Sequence, residues 1–362
     1  MRSVAQVLVF PAYRSNPFLN MLGLAPRAAG YRFLDAVSWD GLLRLLPSLQ
    51  DGDVFHLHWT TPILQRAQDR AAAEQRLTRF VAELDGLRLR GVRLLWTVHN
   101  RLPHELAFRE LEVDLMRAIA DRADAVHVMA PDTPTVLSDI VRLDPATVRV
   151  LPHPSYAGIY DTGITREQAR ASFGLEDTDH ATLFMGQIRP YKGIGELIAA
   201  SGTAQRTDGD LVLLLAGAVA EADPDEIRTA IPAGVRAILD LAFIDDGDMD
   251  RWLRAADVMV LPYRAILNSG SVHLAATFGI PVILPDEAHL REQFGEEPWV
   301  AFFDTRDPAA SIAELLSDTT LFAEVTEADF DRFNREISPF RVSRRYRMLL
   351  DELRGWPERS RA

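Results

Sequence analysis

Residues 181–193 read Ala181-Thr182-Leu183-Phe184-Met185-Gly186-Gln187-Ile188-Arg189-Pro190-Tyr191-Lys192-Gly193. An apolar run, Ala181–Met185, has the composition of a buried strand. A glycine follows, then a Pro-containing turn, then a second glycine that opens a helix predicted over Lys192–Ala200. Lys192 is the chain's single lysine; the other 38 of its 39 Lys+Arg residues are arginine. A lysine kept in that background marks a place for a compact ammonium where a planar guanidinium does not serve. Two cations, Arg189 and Lys192, set before a helix N-terminus make a site for a diphosphate. A surface lysine with no role is the plain alternative.

The same strand–turn–helix pattern repeats along the chain. Strands are predicted at Val4–Phe10, Arg32–Val37, Val54–His58, Val92–His99, Ala125–Val128 and Val148–Leu151. A second set follows at Ala181–Met185, Leu211–Ala216, Ala237–Phe243, Val258–Leu261, Pro281–Leu284 and Val300–Phe303. Helices are predicted near Trp39–Leu46, Ala67–Arg90, His104–Asp121 and Asp132–Val141, and then near Lys192–Ala200, Asp248–Ala255, Ser271–Phe278 and Ala309–Leu316. Alternating βα units imply parallel sheets covered on both faces. Two sets imply an α/β protein of two doubly wound, Rossmann-like domains facing a cleft. Residues 1–155 form the first domain and 156–340 the second, with the break at Pro152-His153-Pro154. Residues 341–362 form a basic amphipathic helix that packs back toward the first domain. In open α/β sheets ligands bind beyond the carboxyl ends of the strands.

Composition narrows the function. The chain has 362 residues, 48% hydrophobic and 25% charged, as in ordinary globular proteins. No apolar run approaches the ~20 residues of a membrane span. Met1-Arg2-Ser3-Val4 leads into a strand and not into a signal-peptide core. With no cysteine there is no disulfide, thiolate metal site or cysteine nucleophile. A cytoplasmic protein is expected. The net charge of −13 argues against nucleic acid as a partner. Residues 1–160 hold 18 Arg against 17 acids, whereas 161–362 hold 21 basic and 35 acidic residues. An anion at Lys192 must therefore be bound by a local device and not by the global field.

Candidate site residues gather at strand ends. His56 and His58 alternate within Asp53-Val54-Phe55-His56-Leu57-His58-Trp59 and so share a face. His99 and Asn100 close the next strand, followed by His104 and Glu105. Imidazoles at carboxyl strand ends suit acid–base work or recognition of sugar hydroxyls. Ordinary strand-end polar residues bonded to loops are the alternative. The set lacks metal-ligand spacing. The loop Tyr13-Arg14-Ser15-Asn16-Pro17-Phe18-Leu19 lacks the GxGxxG of a dinucleotide turn, which disfavours NAD. Asn16 or Ser15 could cap the next helix, or the loop could face ligand. Asn268-Ser269-Gly270-Ser271 opens another helix after Leu261-Pro262-Tyr263-Arg264 and forms a second anion nest. Arg66, Arg70, Arg76, Arg79, Arg88, Arg90 and Arg93 crowd one helical segment. With acids interleaved they read as a solvated face, or alternatively as a patch for anionic lipid.

These segments resemble the retaining GT-B glycosyltransferases of group 1, the family 4-like enzymes. The resemblance lies in Gly-x-Ile-x-Pro-x-Lys-Gly, the Leu-Pro-Tyr run, the Ser-Gly helix ending in Gly-Ile-Pro-Val, and the Asp-Val-Phe-His-Leu-His-Trp and Thr-Val-His-Asn segments. It implies transfer of a hexose from a nucleoside diphosphate sugar, with retention, to a glycan or lipid-linked glycan, without metal or other cofactor. Arg189 and Lys192 would hold the diphosphate, beside Gly186 and Gln187. Phe243 and Ile244 would line the base pocket, and Tyr263, Asn268, Ser269, Gly270 and Ser271 would complete the donor side. His99 would sit by the donor sugar. Asn16, His56, His58, Trp59, Asn100, His104 and Glu105 would serve the acceptor. A peripheral contact with the inner face of a membrane would run through the first domain. One departure stands out: the family's paired glutamates would fall near Ile266 and Leu274, so ribose must be held otherwise. A sugar-nucleotide epimerase, or a non-catalytic sugar-nucleotide-binding subunit, are the alternatives.

Overall fold

A computed structural model describes residues 5–13, 15–161, 163–264 and 266–355. Met1–Val4, Arg14 of the first loop and positions 356–362 of the C-terminal segment lie outside the described residues. The chain divides into two compact units, one of residues 1–154 with 339–362 and one of 155–338.

The first unit is a six-stranded parallel sheet of β1 (Gln6–Phe10), β2 (Arg32–Asp35), β3 (Val54–Leu57), β4 (Arg93–Thr97), β5 (Ala125–Val128) and β6 (Val148–Val150), in the order β2-β1-β3-β4-β5-β6. The second holds β7 (His180–Met185), β8 (Leu211–Ala216), β9 (Arg236–Asp240), β10 (Val258–Val260), β11 (Val282–Pro285) and β12 (Val300–Phe303), in the order β12-β11-β10-β7-β8-β9. Every pairing is parallel. Strands such as β8, Leu-Val-Leu-Leu-Leu-Ala, are apolar almost throughout because helices cover both faces. The order reverses between β1 and β3 in one sheet and between β7 and β10 in the other. Those are the points where open sheets leave a crevice for ligand.

Several predicted elements are shorter than expected. The fourth strand stops at Thr97, so His99 stands two residues beyond it. The strand predicted to reach Phe243 ends at Asp240, and Phe243 is 75% exposed. The helix expected from His104 begins at Arg109, because Pro103 and the turns after it come first. Only Thr133–Val136 of the predicted Asp132–Val141 helix forms. Lys192 ends a 3₁₀ turn, Pro190–Lys192, and the helix proper runs Ile194–Thr203.

The C-terminal helix Pro339–Gly355 belongs to the first unit. Val342, Tyr346, Leu349, Leu350 and Leu353 form its buried stripe at helical spacing. Ser343 accepts from the Ala25 N–H at 2.7 Å and donates to the Leu22 carbonyl at 2.7 Å, tying it to the short helices after β1.

Candidate functional site

The second unit builds its site where β7 and β10 part. Gly186 leaves β7 at φ 134°, and Gly193 takes φ 66° to start the following helix. A Cβ on Gly193 would lie 1.9 Å from the Pro262 carbonyl oxygen. Only glycine lets that helix start rest against the segment after β10. Gly193→Ala is therefore expected to destabilise the second unit by at least ~1–3 kcal/mol, the cost of a left-handed non-glycine residue before any clash is counted. A thermal unfolding curve matching wild type would remove this constraint.

Lys192 lies in that corner. Its Nζ sits 5.0 Å from the Tyr263 ring centroid and 5.8 Å from that of Phe184. Two aromatic faces hold the ammonium without cancelling its charge. Arg189 is placed differently. It donates to Gln187 Oε1 at 2.9 Å and to Glu221 Oε1 at 2.9 Å. Glu221 has φ 66°, a conformation uncommon for a residue with a side chain. A diphosphate would have to draw Arg189 away from this acid or share it.

The loop after β10 is fixed from three sides. Arg264 pairs with Glu196 on the Ile194–Thr203 helix, its Nε donating at 2.8 Å. Its backbone N–H donates to the Tyr191 carbonyl at 2.9 Å. His289 Nε2 donates to the Ile266 carbonyl at 3.0 Å. Asn268, Ser269, Gly270 and Ser271 are half-buried, and Ser269 precedes the helix Gly270–Thr277 without its side chain capping it. Ser271 Oγ is 3.5 Å from Tyr263 Oη. His273 Nδ1 donates to the Ser269 carbonyl at 3.0 Å, and burial holds that ring down to about 4. Lys192, Tyr263 and Ser271 thus gather at one corner. Phe243 and Ile244 follow the edge strand β9, two strands from β7. Glu196, Glu221 and His289 escape sequence reading, since nothing local marks them.

The first unit assembles histidines. His58 Nδ1 is 2.9 Å from His99 Nε2. Trp59 stacks on His99 with centroids 4.0 Å apart and planes 16° from parallel. Phe18 meets the His99 ring edge-on at 5.2 Å. His56 stands behind His58, ring centroids 3.9 Å apart, and is wholly enclosed. Its Nδ1 meets Tyr346 Oη at 2.7 Å and its Nε2 meets Thr97 Oγ1 at 2.7 Å. Thr97 Oγ1 also meets His127 Nδ1 at 3.0 Å, and His127 Nε2 meets the Leu151 carbonyl at 2.9 Å.

This chain assigns its own tautomers. A carbonyl only accepts, so His127 Nε2 carries a proton, and a neutral His127 accepts at Nδ1 from Thr97. Thr97 then accepts from His56 Nε2–H, and His56 Nδ1 accepts from the Tyr346 hydroxyl. Within this chain His56, Thr97 and His127 each donate once and accept once, between the Tyr346 hydroxyl as first donor and the Leu151 carbonyl as last acceptor. Burial lowers the pKa of His56, His58 and His99 well below the ordinary value, with neighbouring imidazoles adding to it. His127 is brought down to about 4, by burial first. The cluster is neutral at pH 7.

Asn16 takes the plain role: it caps the helix Pro17–Leu22, accepting from the Phe18 N–H at 3.0 Å. Asn100 is half-buried beside His99 in sequence, while His104 and Glu105 are exposed on the turns before Arg109. A cavity of about 30 Å³ between His56, His58 and Tyr346 has room for about a water and not for a sugar. Among the described residues no group of three or more His, Asp or Glu could hold a metal ion.

Comparison with known proteins places these features. Residues 179–318 match the family model for glycosyl transferases group 1. The chain is 28% identical over 317 residues to a GDP-mannose:glycolipid 4-beta-D-mannosyltransferase of Xanthomonas campestris pv. campestris, covering 84% of this chain and 80% of that one. Among solved structures it resembles Anabaena HepE in complex with UDP (TM-score 0.70, 12% identity, 96% and 100% of the two chains). It also resembles a sucrose-phosphate synthase from Thermosynechococcus elongatus (TM-score 0.66, 18% identity, 97% and 99%). The fold is that of GT-B glycosyltransferases, and the segment that matches the group 1 model lies within the second unit.

Proposed function

We propose that the protein transfers mannose from GDP-mannose to a lipid-linked glycan. The observation that carries this reading is the similarity over 84% of the chain to a mannosyltransferase that uses GDP-mannose and a glycolipid. The second unit takes the donor, with Lys192 and Arg189 on the diphosphate and Tyr263 and the Asn268–Ser271 loop beside it. Stabilising the leaving diphosphate with fixed cations is electrostatic catalysis, so the reaction runs without metal. Full activity in excess EDTA is the result expected.

The first unit serves the acceptor through His99, Trp59 and Asn100, with His56 and His58 behind. GDP-mannose carries its sugar in α linkage, so a β-mannoside, the linkage in that relative's name, forms with inversion. Inversion needs a base for the acceptor hydroxyl; the half-buried His99 is the candidate, and its lowered pKa makes it a weak base unless the bound acceptor and donor raise it. Retention, which the sequence resemblance implies, is the alternative; the anomer of the product decides between them.

The donor is testable without knowing the acceptor. GDP-mannose at ~100 times its Kd is expected to stabilise the protein by ~2.7 kcal/mol. UDP- and dTDP-sugars at the same concentration should do much less. Stabilisation by UDP-glucose with none by GDP-mannose would overturn the assignment.

A further inference from the structure

The exposed face of the helix Pro339–Gly355 is built unlike the rest of this acidic chain. Its buried stripe leaves Phe340 at 72% and Met348 at 63% exposure on the other side. They lie eight residues apart, on the order of 12 Å along the axis. Arg341, Arg344, Arg345 and Arg347 surround them, all exposed. No acid occurs between positions 338 and 350, in a chain whose net charge is −13. The acids just beyond are engaged. Asp351 accepts from the Tyr31 hydroxyl at 2.5 Å and lies 3.7 Å from Arg347, and Glu352 pairs with Arg149 at 2.8 Å. Arg345 donates one N–H to the Val150 carbonyl at 2.9 Å.

The other arginine-rich helix, Arg70–Leu89, is built differently. Arg70 pairs with Glu74 and Glu110, and Arg79 pairs with Glu83. Acids are interleaved along its exposed face, whereas the Phe340–Met348 face carries none.

We propose that the Phe340–Met348 face of the C-terminal helix docks the first unit on an anionic lipid surface. Charge complementarity selects this occupant. Arginines ringing an aromatic and a thioether group suit headgroup phosphates above and acyl chains below. The inference rests on the reading of a lipid-linked acceptor, and it gives that reading a geometry. Tyr346, on the buried face of the same helix, bonds His56, so the element that meets lipid also props the histidine cluster.

The test is co-sedimentation of the full chain with vesicles of phosphatidylcholine, with and without phosphatidylglycerol. Wild type should bind the anionic vesicles, less so at high salt. Each arginine near such a surface contributes roughly 1 kcal/mol, a factor of ~5, so R344Q/R347Q should bind ~25-fold more weakly. F340S/M348S should also weaken binding, whereas R70Q/R79Q should not. All these positions are exposed, so each variant should unfold as wild type does. Equal binding of wild type to both vesicle types, no binding at all, or undiminished binding by R344Q/R347Q would each overturn the proposal. Stabilisation by GDP-mannose without lipid is read separately: its loss sinks the donor assignment and leaves the vesicle result standing.

Discussion

Replacing Lys192 by alanine is expected to lower turnover at saturating donor by ~10-fold or more. One charge-assisted contact to the leaving diphosphate is worth ~1.5–3 kcal/mol, and ~1.4 kcal/mol is a factor of ten in rate. The local charge balance puts the effect on this residue more than on Arg189. Arg189 already shares its charge with Glu221 at 2.9 Å, whereas the surroundings of Lys192 are the aromatic faces of Tyr263 and Phe184. The loss should fall on kcat as well as kcat/KM, because charge on the bridging oxygen develops as the glycosidic bond breaks. Lys192→Arg should be impaired too: Nζ lies 3.4 Å from where a Cβ on Gly186 would stand, and a planar fork needs more room than an ammonium. Wild-type turnover by Lys192→Ala at saturating donor would take Lys192 out of the mechanism.

The legibility of this site followed the range of its interactions. Inner strands such as β3 and β8 were legible because a strand buried on both faces is an apolar run whatever its neighbours, while the half-exposed edge strands β2, β6 and β9 were legible from their β-forming residues and the turns that bound them. Gly193 was legible as punctuation, although the reason only glycine fits, the Pro262 carbonyl, lies across the sheet. The helices Pro17–Leu22 and Leu24–Ala28, of six and five residues, show too little periodicity to read. His56 and His58 looked alike in sequence but divide the work: one is sealed in a hydrogen-bonded chain, the other bonds His99. What seals His56 is Tyr346, 290 positions away, and no local pattern foretells it. His127 was hidden by its strand, where a polar residue in Ala-Val-His-Val reads as a gap in the apolar run. The pairing of Arg70 with Glu74 and of Arg79 with Glu83 was legible, since in each case the acid stands four residues on.

Acidification from pH 7 toward pH 4.5 is expected to unfold the first unit before the second. His127 titrates near 6.5 when unfolded and at about 4 when folded. Between those values the unfolded state binds the extra proton, so stability is full above about pH 6.5 and falls as pH drops toward 4. That single ring accounts for on the order of 3 kcal/mol, from ~2.5 units at 1.36 kcal/mol each. His56, His58 and His99 shift in the same direction, though not additively, because the first proton in the cluster raises the cost of the next. Glu112, whose carboxyl burial pushes up between Thr60 and Gln65, works the other way and offsets part of the loss. The second unit holds two histidines lowered by burial, His180 and His273. Amide exchange followed region by region, corrected for the intrinsic pH dependence, separates the units. Protection should fade first in β3, β4 and β5. Tyr346→Phe should lower the starting stability by ~1–3 kcal/mol, because His56 Nδ1 is left buried without a donor. That loss should reach the C-terminal helix and β3 together. If the second unit opens first, or Tyr346→Phe leaves both segments protected as in wild type, the neutral hydrogen-bonded chain is not what holds this helix to the sheet.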